Sequence, residues 1–179
     1  MSLRVAALLV VAVSSLACAR RSAEPPAPAI SDANIAAIVV TANTIDIQYA
    51  ELALAKSQNA DVRSFAEMVK KDHESVNEAA TALVTRLGVT PEMNGIAFDL
   101  RDDAEVKRLT LRDFEGAAFD SAYAANEVTY HSTVLGAIDA ALIPSAQNAE
   151  LKALLVAVRP AIEAHLGHAR DLAAKVGRR

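Results

Sequence analysis

Residues 60–88 carry apolar side chains at the three- and four-residue spacing of an amphipathic α-helix that ends at a glycine. The apolar side consists of Val62, Phe65, Val69, Val76, Ala80, Leu83 and Leu87. The opposite side is charged and consists of Arg63, Glu67, Lys70, Glu74 and Glu78. Such a helix is stable in water only when other elements cover its apolar side. The chain is therefore predicted to fold by packing long helices together.

Three further segments predict long helices, over residues 31–57, 116–142 and 148–176. Ser31 is a favourable N-cap residue for the first of them. Pro160 lies inside the last and removes one backbone hydrogen bond, so we expect a kink there. No strand pattern is present in the sequence. The composition agrees, because 53% of the residues are hydrophobic and only 4% are aromatic, so that helix-favouring alanine and leucine dominate.

A long connection, residues 89–115, joins the second and third long helices and predicts a short helix near residues 103–111. Two short turns and one long connection indicate an all-α four-helix bundle, with residues 31–176 as its single domain. If the connection crosses the length of the bundle, the second and third long helices run parallel, as in ferritin-like folds. If it returns locally, the helices alternate up and down. We predict the ferritin-like fold, although the sequence leaves the second topology open.

The N-terminal residues have the pattern of an export signal. Positive charge at Met1 and Arg4 precedes an apolar segment, residues 5–13, which is too short to span a bilayer. The only cysteine, Cys18, ends the small-residue stretch SSLAC. We therefore predict a lipoprotein-type signal peptide over residues 1–18 with lipidation of Cys18. Ordinary cleavage after Ala19 is the alternative.

The residues after the cysteine suggest where the protein is held. Residues 19–30 are rich in proline and alanine and predict a tether. By resemblance to bacterial lipoproteins, Ala19 in place of an aspartate favours sorting to the outer membrane. We thus expect a cell-envelope protein of the periplasm, anchored to the membrane through the lipid on Cys18. The net charge is −4 and no basic stripe is present, so nucleic acid is not an expected partner.

A second apolar stripe on the first long helix consists of Val40, Ile47 and Leu54 at seven-residue spacing. A helix that is apolar on two sides is covered on two sides. The covering element is either the long connection or a protein partner, which could be a second copy of the chain.

Ionisable residues interrupt the apolar sides of all four long helices. The candidate metal ligands are Asp46, His73, Glu127, His131 and His165. Counting residues from the turns places them at similar heights, as one cluster or two adjacent ones. Carboxylates and imidazoles from several helices are what an iron or manganese site in a bundle uses. The other interpretation is a polar network between helices that fixes their register, and we assign Asp72, Asp120 and Tyr123 to that network as well.

The pattern of a di-iron oxidase is incomplete. Such bundles carry Glu-x-x-His on two helices. The stretch KKDHES around His73 lacks this pair, Glu163 lies two residues from His165, and Glu127 lies four residues from His131. No phosphate-binding loop, nucleophile elbow or zinc spacing is present. The sequence therefore assigns no catalytic residue and no organic cofactor, and an enzyme is not the favoured interpretation.

Three stretches resemble the bacterial domain of unknown function 4142 (DUF4142), a family placed with the ferritin-like bundles. They are DVRSFAEMVKKDHESVNEAATAL, FDSAYAANEVTYHSTVL and RPAIEAHLGHA. The resemblance covers roughly residues 31–175. The family usually has an Ala-Glu pair in its first helix, and Ile45 and Asp46 stand at the matching place. The resemblance implies a ferritin-like bundle that is exported, often as a lipoprotein, and it implies no established activity.

These observations favour an exported cell-envelope bundle that acts as a non-enzymatic binding, stress or structural module. The alternative is a periplasmic ferritin-like metal-binding protein, or a metal-dependent oxidase, that uses the inner cluster of carboxylates and histidines. We expect in the first place that the protein binds no cofactor. Iron or manganese is the expected ion if the cluster binds metal.

Overall fold

A computed structural model describes residues 30–178, and every regular element within this range is helical. The helices are α1 (Asp32–Lys56), α2 (Ala60–Leu87), α3 (Gly95–Arg112), α4 (Gly116–Ala137) and α5 (Ala149–Val176). After α4 the chain continues through a π-helical segment, Ile138–Leu142, and a last helical turn, Ile143–Ser145. The predicted all-α fold is confirmed. The proposed signal peptide, Cys18 and the tether up to residue 29 lie outside the described range.

The ends of the long helices follow the local chemistry of the sequence. Ser31 and Asn34 form a capping box, in which each side chain accepts a hydrogen bond from the backbone N–H of the other residue. Gly88 ends α2 with a left-handed φ of 65°, which a glycine adopts without steric cost. α5 passes through Pro160, which is exposed, and continues to Val176.

Contacts at the two ends of the bundle fix its topology. At one end, here called the Asp32 end, the Asp32 carboxylate accepts hydrogen bonds from the backbone N–H groups of Gln147 and Asn148, both at 2.9 Å. At the other end, the Lys56 end, the Lys56 ammonium donates to the carbonyl of Arg112 at 2.6 Å. Hence α1, α3 and α5 run from the Asp32 end to the Lys56 end, and α2 and α4 run back. The long connection crosses the bundle, as in the ferritin-like arrangement that the sequence predicted.

The crossing connection is more regular than the sequence predicted. In place of a short helix near residues 103–111, α3 spans 18 residues, Gly95–Arg112. The Asn94 side chain caps it by accepting from the Ala97 N–H. Its buried residues, Ala97, Ala104 and Leu111, recur every seven positions along the side that packs against α1. The alanines at two of these positions present little bulk toward α1.

The Val40, Ile47 and Leu54 stripe of α1 is half-buried within the chain itself. Val40 lines the groove between α1 and α3, and Leu54 packs against the core. The long connection therefore covers part of this stripe.

Two apolar cores fill the bundle. The core toward the Lys56 end contains Tyr49, Phe65, Phe119, Tyr123 and Leu172. The core toward the Asp32 end contains Ile35, Ile38, Leu83, Leu155 and Ile162. A layer of buried polar side chains lies between the two cores. No helix within residues 30–178 is both long enough and apolar enough to cross a membrane.

Candidate metal centre

The polar layer brings together the five residues that the sequence singled out as candidate ligands. α1 supplies Asp46, α2 supplies His73, α4 supplies both Glu127 and His131, and α5 supplies His165. None of the five residues is more than 3% exposed. Four helices that are separated in sequence thus place two carboxylates and three imidazoles side by side, away from water.

The ligand atoms fall into two groups that share His131. One group is His73, His131 and His165, and the other is Asp46, Glu127 and His131. Within each group the atoms lie within 4.8 Å of one another. Asp46 Oδ2 lies 2.6 Å from His73 Nε2 and 3.1 Å from His131 Nε2, so it connects the two groups a second time. The five residues therefore form one continuous cluster.

Hydrogen bonds fix the tautomer of the two imidazoles that face Asp46. His73 Nδ1 lies 2.6 Å from the Asn43 side-chain oxygen, and His131 Nδ1 lies 3.0 Å from the backbone carbonyl oxygen of Glu127. A carbonyl oxygen only accepts, so each Nδ1 carries the proton of its ring. In the neutral rings, Nε2 is then a bare lone pair on both histidines.

The third imidazole is held from the opposite side of its ring. His165 Nε2 lies 3.0 Å from Asp72 Oδ2, and an ionised carboxylate only accepts, so Nε2 donates. The Nδ1 atom of His165 is buried and has no hydrogen-bond partner within residues 30–178. The Asp72 side chain is 48% exposed, so this pair connects the buried cluster to the surface.

The contacts between Asp46 and the histidines are close but do not have hydrogen-bond geometry. Within the described part of the chain, neither Asp46 oxygen has a hydrogen-bond partner, and neither does the Nε2 of His73 or of His131. Two neutral imidazoles would point lone pairs at a carboxylate, which is repulsive. Either a second proton on each ring or a shared cation relieves this repulsion.

Charge and burial set the protonation of the two carboxyl groups. Burial alone would raise the pKa of Asp46, but the imidazoles of His131 and His73 hold this pKa well below its usual range. Burial, followed by the charge of Asp46, raises the pKa of Glu127 well above its usual range. Burial also lowers the pKa of His165, against the opposing effect of Asp72. Without a cation between them, the site therefore favours an ionised Asp46 and a protonated Glu127.

The donor set fits a divalent transition-metal ion. Imidazole nitrogens together with carboxylate oxygens suit iron, manganese or zinc. Asn43 and Asp72 supply the outer hydrogen bonds that orient ligating histidines in metalloproteins. The rings of Phe65 and Tyr130 lie with their centroids 6.4 and 6.0 Å from that of His131 and give the site an apolar wall.

The other residues of the predicted inner network occupy different places. Asp120 accepts from the Ser57 hydroxyl at 2.5 Å, about two turns from Glu127 along α4, toward the Lys56 end. Tyr123 is fully buried one turn before Glu127, and its hydroxyl has no hydrogen-bond partner among the described residues. Asn43 was not predicted. Its position three residues before Asp46, on the same side of α1, was the signal that could have found it.

A family model described as domain of unknown function (DUF4142) matches residues 17–172. The chain belongs to this family. The match confirms the resemblance carried by the three sequence stretches, and it includes all five candidate ligands. No curated protein and no solved structure matches the chain. The family description assigns no activity, so a function for this DUF4142 protein is argued from its site.

Proposed function

We propose that this DUF4142 protein binds a divalent transition-metal ion in the layer between its two cores, with iron or manganese as the expected ion. One observation carries the proposal. His73, His131 and His165 each use one ring nitrogen to donate a hydrogen bond and turn the other, buried nitrogen toward the cluster. On His73 and His131 this second nitrogen lies beside Asp46 Oδ2, and on His165 it has no hydrogen-bond partner among the described residues. A polar network that existed only to fix the register of the helices would also use the Nδ1 atom of His165.

Asp46, His73 and His131 are the first ligands that we assign, because Asp46 Oδ2 already lies beside both Nε2 atoms. His165 and Glu127 complete the set from the two overlapping groups. Burial and the charge of Asp46 favour a protonated Glu127 in the metal-free site, so binding of an ion through Glu127 would release a proton. A bound cation would offset the charge of the two buried carboxylates and supply Lewis acidity within an apolar surrounding.

Binding without catalysis is the role that the ligand spacing favours. Glu127 and His131 lie four residues apart on α4, and the Glu-x-x-His pairs of di-iron oxidases are missing around His73 and His165. A metal-binding or metal-buffering protein is therefore favoured over a metal-dependent oxidase.

The cell envelope is the location that we propose for this activity. The support is the charged, apolar and small-residue pattern of residues 1–18, which ends at Cys18, and the proline- and alanine-rich segment that follows it. In this proposal the lipid on Cys18 anchors the protein to the outer membrane, and the bundle lies in the periplasm.

Elemental analysis of the full chain, purified without a metal-binding tag, tests the metal proposal. The wild type is incubated with iron(II) or manganese(II) and passed through gel filtration. The chain contains four histidines, and His168 is the exposed one, three residues after His165 on the same helix. We expect the wild type and His168→Ala to retain about one equivalent of metal or more, and His73→Ala to retain none. Equal retention by His73→Ala, or no retention by the wild type, would overturn the proposal.

A structural network is the second candidate, and the ion-pair distances around Asp46 favour it. If His73 and His131 each carry a second proton, Asp46 neutralises part of their charge and ties α1 to α2 and α4. In that case, His73→Ala lowers the free energy of unfolding by about 1–3 kcal/mol. This candidate also predicts that the wild type takes up no metal, and that result separates the two candidates.

A further inference from the structure

An apolar slot adjoins the metal site on the side toward the Asp32 end. Its volume is about 130 Å³, and its lining includes the exposed residues Ile96 of α3 and Thr133 of α4. Among the described residues that line it, Asn43 and Thr133 are the two with polar side chains. The slot therefore connects the surface to the interior through almost wholly apolar walls.

The slot lies directly against the site, as the register of the helices shows. Each helix that supplies a candidate ligand also lines the slot with a residue three positions from that ligand, on the side toward the Asp32 end. These residues are Asn43, Val76, Val134 and Ile162. Three residues of α-helix rise about 4.5 Å, so about one helical turn separates the slot from four of the five candidate ligands, and Glu127 lies one turn farther along α4. Asn43 joins the two directly, because its side-chain oxygen accepts from His73.

The π-helical segment forms one wall of the slot. Ile138 and Leu142, its first and last residues, are each 4% exposed and both line the slot. The backbone N–H of Ile143 donates to the carbonyl of Ile138, the i to i+5 bond that widens the helix. Such turns are rare and occur frequently at functional sites. The π-helical irregularity that follows α4 thus lies at the slot.

Two polar side chains, those of Asn43 and Thr133, border the slot. The Asn43 side-chain oxygen accepts from His73, and the Thr133 hydroxyl donates to the backbone carbonyl of Thr129 at 2.9 Å. A buried water needs about two to four polar partners, and this lining offers few, the Asn43 amide nitrogen and the oxygen of the exposed Thr133. Apolar protein cavities of about 150 Å³ stay dry and bind xenon or benzene. The slot is close to that size and has the same kind of lining.

We propose that the slot binds a small, uncharged, apolar molecule of the size and polarity of dioxygen. Its occupancy depends on the shape and apolarity of the walls and not on a bound metal. Where the metal proposal also holds, the bound molecule lies about one helical turn from four of the five ligands.

Methyl NMR of the metal-free full chain under xenon pressure tests this proposal. We expect saturable shifts of the Ile138, Leu142, Leu155 and Ile162 methyl resonances, while Leu172 in the opposite core stays unchanged. Under dioxygen pressure, the same methyl groups should show paramagnetic broadening. Shifts spread equally over both cores, or no saturable shift, would overturn the proposal. Because the protein is metal-free, the result is separate from the test of the metal site.

A filled slot provides the matched comparison. Ala42 lines the slot, and Ala42→Leu should abolish the xenon shifts, whereas Ala125→Leu, on the exposed side of α4, should leave them intact. If Ala42→Leu does not fold by circular dichroism, Ala137→Leu fills the slot from α4 instead. Wild-type xenon shifts in a folded, filled variant would contradict the assignment of the site.

Discussion

The side-chain oxygen of Asn43 lies 2.6 Å from the Nδ1 atom of His73, and this contact decides which nitrogen of the imidazole faces Asp46. Because the amide oxygen accepts, the Nδ1 proton points away from the cluster and the Nε2 lone pair points into it. This one hydrogen bond therefore links α1 to α2 and also orients His73 so that its Nε2 atom can bind a metal ion.

Replacing Asn43 by alanine should weaken metal binding while the bundle stays folded. Loss of an outer hydrogen bond to a ligating histidine typically lowers metal affinity about 10- to 100-fold. The dissociation constant is measured by competition with a chelator. Asn77→Ala is the control. Within residues 30–178, the Asn77 side chain donates to Thr44 and has no hydrogen bond to a candidate ligand. Equal affinities of the two variants would show that Asn43 has no positioning role.

Replacing Glu127 by glutamine should change stability and metal binding in opposite directions. Burial and the charge of Asp46 raise the pKa of Glu127, so the metal-free fold gains little from a carboxyl group at this position. We expect the free energy of unfolding of the metal-free variant to be unchanged or higher by about 1–2 kcal/mol. The rise in melting temperature on adding metal should become smaller than in the wild type. A strongly destabilised metal-free variant would assign Glu127 a structural role.

The sequence predicted the helices well because their signals are local. Ser31, Gly88 and the spacing of apolar residues on α2 set the boundaries without reference to the rest of the fold. The five candidate ligands were predictable for a similar reason, since a charged residue on an apolar face is visible in the sequence itself. Their assembly into one cluster depended on the crossover topology, which contacts far apart in sequence decide, such as that of Asp32 with Asn148.

Other features had no usable local signal. α3 carries few buried residues, so its pattern up to residue 102 is too weak to predict a helix. The π-helical segment Ile138–Leu142 and the slot beside it arise from packing between helices. Asp120 was placed on the inner side correctly, and it is 8% exposed. It lies about two turns from Glu127 along α4, toward the Lys56 end. It therefore contacts Ser57 and not the candidate ligands.

Removing the Asp32 carboxylate should loosen the end of the bundle at which α5 begins. Asp32 accepts from the N–H groups of Gln147 and Asn148 just before that helix, in addition to the cap that Asn148 itself provides. Asp32→Ala should lower the free energy of unfolding by about 1 kcal/mol, the typical effect of a lost cap. Urea unfolding measures the change. Asp99→Ala, at an exposed position of α3, is the control and should leave the midpoint unchanged.

The three tyrosines of the chain should resist ionisation until the protein unfolds. Burial raises the pKa values of Tyr49, Tyr123 and Tyr130, and the nearby carboxyl groups of Asp46 and Glu127 add to this effect. In the unfolded chain these groups titrate near pH 10. The unfolded state therefore loses protons above about pH 10 that the folded state keeps, so stability falls as the pH rises past that value.

Absorbance at 295 nm and circular dichroism, followed together during an alkaline titration, check this expectation. Tyrosinate absorbance should rise only where the helical signal is lost. A tyrosine that ionises near pH 10 while the helices remain intact would show that its ring is open to solvent.

X-ray absorption spectroscopy of the metal-loaded full chain tests the central claim most directly. The spectrum at the metal edge reports which atoms surround the ion. We predict a first shell of nitrogen and oxygen with outer-shell scattering from at least two imidazole rings, reduced in His131→Ala and unchanged in His168→Ala. A shell of oxygen atoms alone, without imidazole scattering, would contradict binding by the buried histidines.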